Sequence, residues 1–374
     1  MTHYTHGLNT YKVKNTHGIL YYKHDCVLPP FRGWGHMNTK RIFLRLISVL
    51  IIWSSLSFRC ASPAANNFME KDVLTLTAQI PLPNVSGRID HIAYDSVNHL
   101  AFIAALGNNT IEVVNIDSKQ VVHTIKGLHE PQGVAYIPSS QRLVVANGDN
   151  GACIFFDTKT FTQLSSVDLK DDADNIRYDA ATNLLYVGHG SGAIAIIDAT
   201  SMKQVATLPL DGHPESFQLS KKENRVYINV PDRNEIEVAD LSSHSVIAKW
   251  KNTSASSNFP MSLDEENNRL FIGCRSPATL RMINTQTGKD ITSISCSGDA
   301  DDVFYYAPDS LVFVSAGKGF IDVFKVGNDL QQINHIATSS GARTALLLPS
   351  QKILLVAIPA RGGNSAALWI YKIS

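Results

Sequence analysis

The chain is poor in cysteine and in charge, and each shortage excludes something. Five cysteines are spread over 374 residues. Only Cys153, Cys274 and Cys296 follow the N-terminal region, an odd and widely spaced set that excludes a disulfide framework. No CxxC pair, Cys/His cluster or CxxCH run occurs, so neither zinc nor covalently attached haem is indicated. There is no Gly-x-Ser-x-Gly elbow and no HExxH helix. Charged residues make up 18% of the chain and the formal net charge is zero. That zero hides an asymmetry. Residues 1–65 hold eight Lys or Arg and one acid, Asp25, which leaves 25 bases against 32 acids in the remainder. A mildly acidic body lacks the broad basic footprint that makes nucleic acid a partner.

The N-terminal region reads as targeting sequence. MNTKR (37–41) is a short basic start, IFLRLISVLIIWSSLSF (42–58) is apolar apart from Arg45, and CASPAA (60–65) is rich in small residues. Residues 1–36 are awkward ahead of a signal peptide. Met37 is therefore read as the true start, 1–36 as a misassigned upstream extension, 37–65 as a signal peptide and 66–374 as one domain. The rival is an uncleaved anchor, but the apolar run of 17 residues is short of the roughly 20 that span a bilayer. Cys60 raises a lipid anchor, against which Arg59 departs from the small apolar residues such sites show. The body is expected to be exported, periplasmic or extracellular. Membrane contact would come only through the leader or Cys60.

What the chain does have is a repeat. IAYDSVNHLAFIA (92–104), VAYIPSSQRLVVA (134–146), IRYDAATNLLYVG (176–188) and FQLSKKENRVYIN (217–229) share one pattern. MSLDEENNRLFIG (261–273), VFYYAPDSLVFVS (303–315) and ALLLPSQKILLVA (345–357) continue it, at intervals of 41 to 44 residues. Each copy has a short strand, a polar turn, a very apolar strand, a third strand often ending in Asp (NNTIEVVNID, SGAIAIIDA, RNEIEVADL), and a fourth strand such as VVHTI or VIAKW. β-branched residues and alternation dominate, and no convincing helical stripe runs through the body. Four antiparallel strands per 40–45 residues is a propeller blade. The seventh copy ends on LWIYKI (368–373), its third strand. Its fourth must come from elsewhere, and DVLTLTAQIPLPNVSGRID (72–90) has fourth-strand character and leads into blade one. The expected fold is an all-β, seven-bladed propeller whose N-terminal strand completes the last blade.

These units resemble YVTN-type β-propeller repeats, similar to the periplasmic YncE-like proteins. AFIAALGNNTIEVVNIDSKQVVHTI (101–125) and its copies carry the resemblance, with the turns in HEPQGVAY (129–136) and GHPESF (212–217). It covers about residues 72–374 and is best in blades one to three. Blades six and seven depart from it, with Lys325 and Lys372 where the third-strand Asp is expected. The resemblance implies a fold. The roles ascribed to members, in surface layers or in binding DNA or a redox partner, are not carried by any motif here.

In a propeller the first strand of each blade lines a central channel, and the residues just before it ring one mouth. Those residues are Asp90, His91, Gln132, Asp174, Asn175, Glu215, Asn258, Asp301, Asp302 and Arg343, the candidate ligand-binding set. Neighbouring loops add Asn147, His189, Arg275, Lys318 and Arg361. Gathered carboxylates suit a hard cation such as Ca²⁺ or another divalent ion. They would also raise one another's pKa, a route to acid–base chemistry. The same polar residues also serve merely to cap strand ends and satisfy backbone groups. GHGSG (188–192) and AGKG (316–319) lack a following helix and read as hairpin turns. His129 and His213 read as exposed turn histidines, and DLKDDAD (168–174) as a solvated acidic loop.

The resulting expectation is a monomeric binding scaffold, with no catalysis of its own, that takes a small molecule or a protein at the channel mouth. A metal-assisted hydrolase or lactonase on the axis is the alternative. Single-stranded DNA binding is a second alternative, which the acidic body disfavours.

Overall fold

A computed structural model describes residues 72–374. The upstream extension, the leader, Cys60 and residues 66–71 lie outside the described residues. Among the described residues, no helix is long and apolar enough to cross a membrane.

Seven four-stranded antiparallel sheets follow one another in chain order. Their inner strands are Ile92–Asp95, Pro131–Ile137, Ala173–Asp179, Phe217–Ser220, Ser256–Asp264, Ala300–Tyr306 and Thr344–Leu348. Each inner strand lies in, or begins, the first segment of one sequence copy. The expected closure is present. Leu74–Pro81 pairs antiparallel with Ala367–Ile373 and supplies the outer strand of blade seven. The backbone N–H of Ser374 donates to the Val73 carbonyl oxygen at 2.9 Å, so the two ends of the ring lie side by side.

The apolar second and third strands follow from the architecture. Each is buried on both faces, because each blade packs against two neighbours. In Leu100–Ala105, Ala101, Ile103 and Ala105 pack with Leu355, Ala357 and Leu368 of blade seven. Phe102 and Ala104 point the other way, onto Val134, Leu143 and Val145 of blade two. Two-residue alternation thus produces a continuous apolar run, since both faces are core. Seven such seams close the circle. Each fully buried large side chain contributes about 1.5–3 kcal/mol. Outer strands face water on one side and alternate accordingly, as in Ser245–Lys251.

The Asp or Asn that ends many third strands has a local task. Asp157 accepts the backbone N–H groups of Lys159 and Thr160, and Asp240 those of Ser242 and Ser243. Asn284 does the same for Gln286 and Thr287. The side chain closes the turn by mimicking a backbone carbonyl. Cys153 and Cys274 are buried free thiols, and Cys296 is partly buried.

Candidate functional site

Bulges set the site. The inner strands of blades two, three, five and six each carry a register shift near their start, between Pro131 and Val134, Ala173 and Ile176, Asn258 and Met261, and Ala300 and Asp302. An extra residue re-aims its neighbours. Consecutive polar residues therefore leave the ladder, and several turn toward the axis.

Seven of the ten candidate residues meet there. Asp90, His91, Asp174, Asn175, Glu215, Asp301 and Asp302 line one cavity with Arg88, Ser216 and Phe259. The open space is about 20 Å³, room for one water-sized particle. The other three candidates lie outside this cavity. Gln132 donates to Asp172 at 2.8 Å, in the seam between blades two and three. Asn258 is fully buried, and its Nδ2 donates to Asn229 Oδ1 and the Glu235 carbonyl, both at 2.9 Å. Arg343 sits in an adjoining groove with Arg88 and Arg361.

The charges are interleaved. Arg88 contacts Asp90 at 2.7 Å. Asp301 is shared by Arg275 and Arg343, the latter at 2.8 Å, and Arg343 also reaches Asp299 at 2.9 Å. The Arg275 guanidinium lies 3.8 Å from the centre of the Phe259 ring, a cation–π contact that holds it over the axis. Asp302 accepts the Ala345 backbone N–H at 2.7 Å. Arg177 donates to the Phe217 carbonyl, the Ile176 carbonyl, Ser216 and Asn175. His91 Nε2 lies 3.9 Å from Asp90 and 3.7 Å from Asp174. Asp174 Oδ1 itself has no hydrogen-bond partner.

Burial and these neighbours move the proton affinities apart. Burial, with the Asp174 charge behind it, pushes Glu215 up to about 8. Burial likewise raises Asp302 to about 7 and holds Asp90 above the usual carboxylate range. Burial would raise Asp174 too, but His213 and His91 outweigh it and its affinity falls. His213 is raised to about 9: desolvation opposes its charge, and the Asp174 carboxylate and Gly190 carbonyl prevail. At neutral pH, Glu215 is thus mostly protonated beside an ionised Asp174.

His213 differs from its sequence reading. Its side chain is only 20% exposed, with Nδ1 donating to the Gly190 carbonyl at 2.6 Å and Nε2 4.0 Å from Asp174. His129 is exposed, as expected. In the acidic run 168–174, Asp171 is exposed but Asp174 is buried on the axis. Arg88, Ser216 and Phe259 were not in the candidate set. Arg88 lies two residues before Asp90, Ser216 follows Glu215 and Phe259 follows Asn258, and of the three only Phe259 sits at a bulge.

Below the polar cluster the channel widens. A cavity of about 330 Å³ has mixed walls, with Ile92, Val134, Ile176 and Met261 beside His91, Arg177, Ser216, Gln218, Ser262 and Asp302. The axial carboxylates do not form a compact ligand shell, because arginines intervene. Among the described residues, the one group whose acidic oxygens all lie within 4.8 Å of one another is Asp211, Glu235 and Glu237, away from the axis.

No protein-family model matches the chain. Its fold is similar to those of several solved structures. A chain of a mitotic checkpoint complex matches with a TM-score of 0.68 at 16% identity, over 85% of this chain and 99% of that one. The WD40 repeats of RRP9 match with a TM-score of 0.69 at 12% identity, over 80% and 100%. A chain of hydrazine synthase from Kuenenia stuttgartiensis matches at 0.66 and 13%, over 78% and 96%. The protein is a seven-bladed β-propeller with WD40-like structural neighbours, and at these identities the likeness is one of fold alone.

Proposed function

We propose that this protein is an exported, monomeric binding module of the YVTN/YncE-like kind, which holds a protein partner across the channel mouth. The observation that carries the reading is the density of charged side chains of both signs around that mouth. Exposed or half-exposed Arg88, Arg275, Lys318, Arg343 and Arg361 gather on blades five, six, seven and one. Exposed Glu130, Asp149, Asp171, Asp211 and Asp232 stand on blades two to four, interleaved with exposed Lys170 and Arg233. A rim patterned with charges of both signs selects the orientation and the charge pattern of a partner. A groove of about 420 Å³ lined by Arg88, Arg343 and Arg361, with Asp299 paired to Arg343, offers a seat for a polar side chain of that partner. The acids on the axis, by contrast, surround a space too small for a substrate.

The test is capture of partners by the exported protein in three forms. One is unaltered, one carries Lys318→Glu with Arg361→Glu at the rim, and one carries Val205→Glu on an outer strand. A partner retained by the unaltered and outer-strand forms, lost by the rim form, and released by salt supports the reading. A partner set insensitive to the rim changes sinks it. Export is checked by N-terminal sequencing of the mature chain, with a new terminus expected near residues 61–65.

A second reading is favoured by the channel cavity. A concave space lined by both apolar side chains and several polar groups has the form of a site for a small polar molecule. In that reading a small molecule occupies the channel and contacts His91 and Asp302.

A further inference from the structure

Equivalent positions in the repeat supply an internal control. The third residue of the third strand is buried and acidic in three blades: Glu112 in blade one, Glu237 in blade four and Asp322 in blade six. Each faces the preceding blade. Glu112 has both oxygens satisfied, by Thr110 and Thr124 at 2.7 Å. Asp322 has both satisfied as well, by Gln332 and His335 on one oxygen and the Ser297 backbone N–H on the other.

Glu237 is the exception. The Asp211 backbone N–H donates to its Oε1 at 3.1 Å, the counterpart of the Ser297 contact in blade six. Its Oε2 has no hydrogen-bond partner among the described residues, although the residue is completely buried. An ionised oxygen left so is costly, and blades one and six show that the fold can provide for it. Blade four instead brings up two more carboxylates. Glu235 lies two residues earlier on the same face, itself buried, and Asp211 comes from the loop leading out of blade three. One oxygen of each lies within 4.8 Å of the others.

We propose that Asp211, Glu235 and Glu237 bind a hard divalent cation in the seam between blades three and four. Three carboxylates and no nitrogen or sulfur ligand suit Ca²⁺ or Mn²⁺. Two lysines stand in for the ion: Lys249 contacts Asp211, and Lys251 contacts Glu235 at 2.6 Å. Neither makes an ion pair with Glu237. Both lie on the edge strand Ser245–Lys251 with exposed side chains, so they can swing into solvent when a cation arrives. The bound ion ties the loop at Asp211 to the third strand and satisfies the oxygen that the protein leaves open. The site shares Asp211 with the charged rim, while its other two ligands, Glu235 and Glu237, are buried in the seam and take no part in the partner-binding reading.

The test is titration of the full chain, first treated with chelator, with Ca²⁺ by calorimetry and with Mn²⁺ by electron paramagnetic resonance. One equivalent is expected, with a rise in melting temperature. Glu237→Gln and, separately, the exposed change Asp211→Asn should abolish that equivalent. Lys249→Met should tighten binding severalfold by removing the competing ammonium. No binding at millimolar Ca²⁺, or binding kept in both carboxylate variants, overturns the proposal. Loss caused instead by Asp174→Asn places the ion on the axis and overturns it equally. Should Glu237→Gln not fold, Asp211→Asn decides.

Discussion

A methyl group on Gly133 would lie 2.0 Å from the carbonyl oxygen of Asp174. The bulged strand start Pro131-Gln132-Gly133 of blade two therefore presses directly on the backbone that presents an axial carboxylate of blade three. Side-chain freedom at 133 is given up so that two blades can close around the cavity. Gly133→Ala is expected to push the bulge of blade three outward and destabilise the protein by about 1–3 kcal/mol, the usual range for overpacking. A shift of the urea midpoint at unchanged slope checks it.

The axial proton affinities give a pH dependence of defined sign. Glu215 is held at about 8, Asp302 at about 7 and His213 at about 9, against ordinary values of 4.5, 3.8 and 6.5. All three are raised, so the folded chain retains protons that the unfolded chain has released. Stability then falls as pH rises, across 4.5–8 for Glu215, 3.8–7 for Asp302 and 6.5–9 for His213. The melting temperature is expected to decline from about pH 5 to pH 9. Glu215→Gln should flatten that decline below pH 8, and a slope unchanged by the substitution would contradict the assignment.

The clasp strand should matter at its inward face and not at its outward one. Ile80 is fully buried in the seam between blades seven and one, whereas Leu76 is 38% exposed. Ile80→Ala should cost about 2–5 kcal/mol. Leu76→Ala, on the same strand, should cost well under half of that. Denaturation of the two variants side by side separates seam packing from a general loss of apolar surface.

Blade count and closure were legible because Phe102 and Ile103 point to different seams, and so do their counterparts in every copy. Two buried faces force an apolar run, and seven such runs at one interval leave little choice of fold. The site was legible as a set of positions, but not as a set of directions. Asn258 matches Ala173, the last ladder residue before the bulge, and stays in a hydrogen-bonded seam, whereas Asp174 lies inside the bulge and is turned onto the axis. His213 looked like a turn residue because its partner, the Gly190 carbonyl, lies 23 positions away in the chain. Glu237 gave no signal at all. Its third-strand position is Glu, Asp, Arg or apolar in different blades, and only the unmet oxygen sets it apart.

The contact between Val73 and Ser374 means that the covalent ends of the circle are also neighbours in space. A short linker between them, with new termini opened in the Asp171 loop between blades two and three, would make every sheet contiguous in sequence. All seven seams would remain, but no strand would be borrowed from the far end of the chain. Such a permuted protein should reach the same equilibrium fold and yet unravel faster from its free blades. The gap between the two unfolding rates would measure what the borrowed strand adds to the lifetime of the native ring.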